Sequence, residues 1–346
     1  MHRSVRNTLF RVLVSATALL LIPQTANAAA VAESSYEFAT PLFGLSAARG
    51  GGLLVADAGA GVVKLQGGNG TLIAELPNIT DVAPYTKRSM HAVTGAGDAR
   101  LYKIRDGVVT RRANLGRFEA NVNPDGGEID SNPFDVATLR HGRALVADAA
   151  ANALLFVRKD GHIDWVATLP SELVSTDNVK SLVGCPYADP ENQEICDLPD
   201  MIPAQPVATS VAVGPDGAYY VGELKGFPAP TGASKVWRIE PGTRHAECGT
   251  SPACSVVADG FTSVIDLGFG RDGALHVVEF DEASWFAVEL GQPTGGTLNA
   301  CDVTSGDCDV VAGGLFMPTA VASTRQHVFV TSASLVPGEA DVVKIA

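Results

Sequence analysis

The sequence predicts an all-β fold, a six-bladed β-propeller, on three observations. A quartet of short strand-like runs recurs six times, roughly every 40–55 residues. Gly, Pro and Asp turn signals separate the runs, as in Gly214-Pro215-Asp216-Gly217 and Arg271-Asp272-Gly273. No helical periodicity of about 10–15 residues intervenes, as a parallel α/β sheet would require. The composition agrees, with 36 Gly and 20 Pro in 346 residues and only 6% aromatic side chains. The rival, a pair of β-sandwiches, does not explain repeats this regular.

Before the first repeat lies a secretory signal pattern, residues 1–28. Arg3, Arg6 and Arg11 precede the apolar run Val12 to Ile22, Pro23 breaks it, and Ala26-Asn27-Ala28 supplies a small-x-small cleavage site. As a helix that run spans about 16 Å, about half the hydrocarbon thickness of a bilayer. The expected product is a secreted, extracellular domain, residues 29–346, with no membrane span after cleavage.

Each repeat opens with an inner strand: Gly44 to Ala47, Asp81 to Ala83, Asp135 to Ala137, Ser210 to Ala212, Asp266 to Gly268 and Ala320 to Ala322. The second strands follow at Leu53 to Asp57, Met90 to Thr94, Ala144 to Asp148, Tyr219 to Glu223, Leu275 to Glu279 and His327 to Thr331. Third runs such as Ala153 to Val157 and Lys235 to Ile239 come next, then a fourth after a Gly turn. The repeat around Met90 matches least well. The last repeat ends after its third strand at Ala346, so the N-terminal run Ser35 to Thr40 is expected to join the last blade and close the ring, hiding a sheet edge. Trp165, Trp237 and Trp285 are expected on outer strands, packed between blades.

Between the third and fourth repeats a 32-residue insert, 173–204, interrupts the period. It reads as a functional lid or as tolerated decoration. It carries Cys185 and Cys196. The other four cysteines are Cys248, Cys254, Cys301 and Cys308, and no pair has CxxC spacing. An even count in an exported chain favours disulfides, and nearness in sequence favours pairing within each couple, although six cysteines allow 15 connectivities.

Propeller geometry brings the starts of the inner strands and the ends of the second strands to one face. The second strands end in Asp57, Thr94, Asp148, Glu223, Glu279 and Thr331; the inner strands begin at Gly44, Asp81, Asp135, Ser210, Asp266 and Ala320. Seven carboxylates at one channel mouth repel one another unless cations or hydrogen bonds compensate. Oxygen donors without a His/Cys cluster suit Ca²⁺ or Mg²⁺, with Asp57, Asp148, Glu223 and Glu279 as candidate ligands. The competing structural explanation is that short carboxylates cap turns. The acidic loop Asn121 to Asp130 matches the early positions of a calcium loop but carries Pro124 and, in place of the distal Glu, Asn132.

The balance of 25 Lys+Arg against 38 Asp+Glu gives a net charge of −13, which excludes nucleic acid as an expected partner. No GxSxG, HExxH or phosphate-binding Gly loop is present, and the histidines show no paired spacing.

The run Ala144 to Ile163 resembles NHL-type propeller repeats. Ser131 to Val136, Thr209 to Gly232 and Phe261 to Phe280 together resemble the ScyD/ScyE family of exported bacterial proteins, and Gly222-Glu223-Leu224 with Gly226-Phe227-Pro228 is the most distinctive part of that likeness. The resemblance implies an exported propeller and assigns no catalytic residue. Lactonases of the SMP-30 type hold a metal through an Asn that opens the inner strand. Here Thr80, Phe134, Thr209, Ile265 and Thr319 stand at those positions, so that site is not carried over. Tyr219 to Glu223 resembles a second strand of streptogramin lyase, whose catalytic His has no counterpart. The expected function is binding of a small extracellular ligand or protein partner by a monomer. Asp135, Asp148, Glu223, Asp266 and Glu279 would line the acidic mouth, with or without a divalent cation. The alternative is a metal-assisted hydrolase or lyase of the lactonase kind.

Overall fold

A computed structural model describes residues 31–32 and 35–345, with the backbone alone for 31 and 32. The signal pattern at 1–28 lies outside the described residues. Six antiparallel sheets form the blades of a propeller. Their inner strands are Leu42–Ala47, Ile79–Pro84, Pro133–Leu139, Pro206–Val213, Val264–Phe269 and Val321–Ser323. The second strands are Leu53–Asp57, Ser89–Thr94, Arg143–Asp148, Tyr219–Lys225, Leu275–Glu279 and Val328–Ser332. The repeat around Met90 is a complete four-stranded blade.

The second strands are buried along nearly their whole length because each sheet is covered on both faces by its neighbours. That is why they read as continuous apolar runs, while an outer strand such as Asn69–Glu75 is mostly exposed. Apolar clusters fill the spaces between adjacent blades. One joins Leu145, Leu154 and Phe156 of the third blade to Val221, Trp237 and Ile239 of the fourth.

Ser35 to Thr40 forms no strand. The outermost position of the sixth blade is taken instead by Val31–Ala32, antiparallel to Asp341–Ile345 with Val31 opposite Lys344. Phe38 packs into the cluster between the first and sixth blades beside Leu42, Phe329 and Val342, so burial of Phe38 outweighs ladder pairing there.

All three expected disulfides form: Cys185–Cys196, Cys248–Cys254 and Cys301–Cys308. Cys301 and Cys308 are direct cross-strand partners in the fifth blade. Cys248 follows Ala246–Glu247, a two-residue strand that leaves the fourth blade to pair in parallel with Ile163–Thr168 of the third. Disulfides belong to oxidising compartments. Among the described residues no helix is long and apolar enough to cross a membrane.

The insert stands on a two-stranded stalk, Glu172–Ser175 paired with Met201–Ala204, and carries two short helices, Asp177–Leu182 and Gln193–Cys196. Trp165 and Trp237 lie on the fourth and third strands of their blades. Trp285 does not: it opens the helix Trp285–Glu289 in the turn after the second strand of the fifth blade, where its indole N–H donates to the Lys225 carbonyl at 2.9 Å.

Candidate functional site

The inner and second strands of the first five blades share one irregularity, a register shift next to the start of the inner strand, as between Ile79 and Asp81 or Pro133 and Asp135. The extra residue of each bulge is Phe43, Thr80, Phe134, Thr209 or Ile265; Thr319 holds the equivalent place in the sixth blade. A bulge re-aims one side chain out of the ladder. The threonines use this to reach the following blade, with Thr80 Oγ1 donating to the Pro133 carbonyl (2.8 Å), Thr209 Oγ1 to that of Val264 (2.9 Å) and Thr319 Oγ1 to that of Leu42 (2.7 Å). Phe43, Phe134 and Ile265 alternate with them and fill the channel, leaving no room for a water. Phe43 and Phe134 meet with ring centroids 5.6 Å apart. Above them Phe227, Phe280, Trp285, Phe286, Met317 and Leu335 form an apolar cap. Asn178 of the insert reaches over that face, donating from Nδ2 to the carbonyls of Ala229 (2.7 Å) and Ala283 (3.0 Å).

The residue after the bulge is an acid in three of these five blades, Asp81, Asp135 and Asp266, and Gly44 or Ser210 in the other two. Asp81 Oδ2 accepts from the Val136 amide (3.1 Å), Asp135 Oδ2 from that of Val211 (2.5 Å) and Asp266 Oδ2 from that of Val321 (2.7 Å). Each Asp therefore ties its own blade to the next. Gly44 stands at the same position in the first blade because a Cβ there would collide with the Asp81 carboxylate. Burial, then the charge of Asp135, pushes Asp81 and Asp266 well above the usual carboxylate range. Burial also raises Asp135, opposed by a hydrogen bond from Asp81.

These three carboxyls sit at the end of a channel cavity of about 190 Å³. It runs from them along the inner strands past Ser46, Ala83, Gly268 and Ser323, away from the apolar plug, and no basic side chain lines it.

The second-strand carboxylates play a different part. Asp57 accepts from the Ala39 amide (2.7 Å) and the Gly59 amide (3.0 Å). Asp148 accepts from Ser131 Oγ (2.6 Å) and the Asn132 amide (2.7 Å). Glu279 accepts from the Thr262 amide (2.5 Å), Thr297 Oγ1 (2.8 Å) and Asn299 Nδ2 (2.8 Å). Glu223 accepts from Trp237 Nε1 (2.5 Å) and from Lys225, whose Nζ also bonds Glu172 of the insert stalk at 2.5 Å.

The expected single ring thus divides into two. Asp135 and Asp266 meet Asp81 in the channel, whereas Asp57, Asp148, Glu223 and Glu279 are spent, each in its own blade, on fastening the second strand to its surroundings. Their lone pairs already face N–H and O–H donors, so they do not fit a shared Ca²⁺ or Mg²⁺. Among the described residues no group of three or more His, Cys, Asp or Glu side chains is placed to hold a metal ion. The expected open face is corrected as well: on the side of the strand-two ends the channel is plugged and capped. The bulge residues that close it were visible as an alternation of Phe or Ile with Thr just before the ring position. Lys225, which holds Glu223, lay two residues beyond the expected end of that strand and gave no such signal.

No protein-family profile matches the chain, and no curated protein matches it in sequence. Solved structures do match over most of its length. Regucalcin from Agrobacterium tumefaciens, described as a calcium-binding protein, is 13% identical with a TM-score of 0.55, covering 92% of this chain and 94% of that one. A gluconolactonase from Xanthomonas campestris is 12% identical with a TM-score of 0.56 (90% and 88%). Streptogramin B lyase is 11% identical with a TM-score of 0.52 (92% and 87%). At these identities the likeness shows the six-bladed propeller and nothing finer.

Proposed function

We propose that this chain is an exported propeller of the ScyD/ScyE type, working as a monomer, whose channel binds a small extracellular ligand carrying a compact positive charge. One observation carries the proposal: Asp81, Asp135 and Asp266 converge at the end of a cavity of about 190 Å³ with no basic side chain in its lining. The volume falls below the roughly 300–1,000 Å³ of drug-sized pockets, so the ligand has few heavy atoms. An organic ammonium group suits the site: the three carboxyls are not set for a metal ion, but an ammonium donates to several acceptors at once. Without a ligand, burial and mutual repulsion make these acids hold protons. A cation displaces them, so binding strengthens as pH rises.

Calorimetric titration with butylammonium tests this. The expected result is saturable binding that Asp266→Asn weakens about tenfold or more, as losing one charge-assisted hydrogen bond would (about 1.5–3 kcal/mol). Equal heats from both proteins would overturn it.

A further inference from the structure

Away from the channel, the connection between the second and third blades gathers oxygen atoms that accept nothing from the protein. Glu119, on the helix Leu115–Val122, is 1% exposed, and neither of its carboxylate oxygens has a hydrogen-bond donor. The same holds for Asn123 Oδ1 and Asn152 Oδ1. Asn123 caps the helix one turn after Glu119, its amide donating to the Glu119 carbonyl at 2.9 Å, so the two residues adjoin at the end of the helix. Asn152 comes from the turn after the second strand of the third blade. Its Nδ2 donates to Asp125 Oδ2 at 2.7 Å and so brings that turn against the loop.

Both amides spend their nitrogens elsewhere, Asn123 Nδ2 on the Gly127 carbonyl (3.0 Å) and Asn152 Nδ2 on Asp125, which leaves their oxygens as acceptors. The charges point the same way. Asp148, Asp125 and Asp130 all lay negative charge around Glu119. Among the described residues no Lys or Arg salt bridge reaches any of these four acids.

Four buried acceptors without donors, surrounded by negative charge, are a poor arrangement for a protein alone and a good one for a hard cation. We infer that Glu119, Asn123 and Asn152 bind one Ca²⁺ ion, with Asp125 beside it. Amide and carboxylate oxygens exclude a soft metal. A carboxylate free at both oxygens, joined by neutral amide oxygens, suits the six to eight ligands of Ca²⁺ better than the rigid, water-keeping octahedron of Mg²⁺. The site is not an EF-hand. The calcium-like spacing from Asn121 to Asp130 places ligands along one loop, whereas the structure takes Glu119 from the preceding helix and Asn152 from the next blade.

The test is calorimetry and thermal unfolding of the full chain, first stripped with chelator and then titrated with CaCl₂. One ion per chain is expected, with Kd in the range of about 10⁻⁴–10⁻³ M typical of extracellular modules, and a rise in Tm. Glu119→Gln, which keeps the shape, abolishes the shift. Asn152→Ala weakens binding about tenfold or more and stands in for Glu119→Gln should that variant not fold. Asp81→Asn in the channel leaves Ca²⁺ binding unchanged. No heat and no Tm shift at ten times that concentration range would overturn the inference, as would binding that Asp81→Asn removes and Asn152→Ala does not.

Discussion

The Asp81 carboxylate crosses the gap between the inner strands of the second and third blades to accept from the amide of Val136, the residue next to Asp135, at 3.1 Å. Burial and the neighbouring charge of Asp135 push Asp81 well above the usual carboxylate range, and Asp135 in turn accepts from the Val211 amide (2.5 Å), so each carboxyl is pinned to the following blade. Asn in place of Asp81 reproduces the uncharged form and keeps an oxygen to accept from the Val136 amide. Asp81→Asn is therefore expected to fold and to unfold at pH 8 at a Tm equal to or above that of the parent. A lower Tm would mean that Asp81 is ionised in the native protein.

Stability is expected to peak on the acid side of neutrality. Burial raises Asp148 to about 6 and Glu289 to about 7, and raises Asp81 and Asp266 as well. A carboxyl whose folded value lies above its unfolded value of about 4 binds a proton preferentially in the native state. Its contribution is complete below that unfolded value and is lost as pH rises through the folded one. Denaturant midpoints measured without divalent cations should therefore fall between pH 5 and pH 8. A rising profile would contradict the assignment. Below about pH 4 the trend reverses, as paired acids such as Glu172, which Lys225 and Lys235 hold low against its partial burial, become protonated.

Lys225 is 1% exposed, with Glu223 fully buried beside it and the more accessible Glu172 completing the pairing. Lys225→Met strands the Glu223 charge and should cost about 3–5 kcal/mol by urea unfolding. Adding Glu223→Gln removes the stranded charge and should recover part of that loss, as a double-mutant cycle would show. Additive losses would mean that the two groups do not interact. Because Glu223 faces Trp237 and Lys225 and not the channel, Glu223→Gln alone should leave butylammonium binding unchanged in the folded protein.

The stalk and Asn178 fasten the insert to the ring, and the cysteine pair Cys185–Cys196 staples it internally. Replacing both cysteines with Ser should open 183–200 to limited proteolysis and leave the Tm of the ring nearly unchanged, because the apolar clusters between blades do not include that segment. Loss of the whole cooperative transition would show instead that the insert is part of the core.

Much of the fold was legible because a propeller repeats its chemistry. Leu53 to Asp57 and Ala144 to Asp148 are buried on both faces, so their apolar runs stand out in sequence. The N-terminal closure was misplaced because Ser35 to Thr40 alternates like a strand, whereas Phe38 is held by packing. The acids were harder to read. Asp148 and Asp135 look alike in sequence, and only the bulge beside Asp135 separates a carboxyl aimed at the next blade from one that fastens a loop. Glu119 and Asn152 lie 33 positions apart and meet through tertiary packing that no local pattern encodes.

The most direct test of the channel proposal is the proton balance of binding. Butylammonium titrated at pH 7 in buffers of different ionisation enthalpy should give heats that vary with the buffer, because the ammonium expels protons from the Asp81, Asp135 and Asp266 group, and its Kd should tighten from pH 5 to pH 8. Buffer-independent heats with a pH-independent Kd, or binding that survives Asp81→Asn combined with Asp266→Asn, would contradict the account.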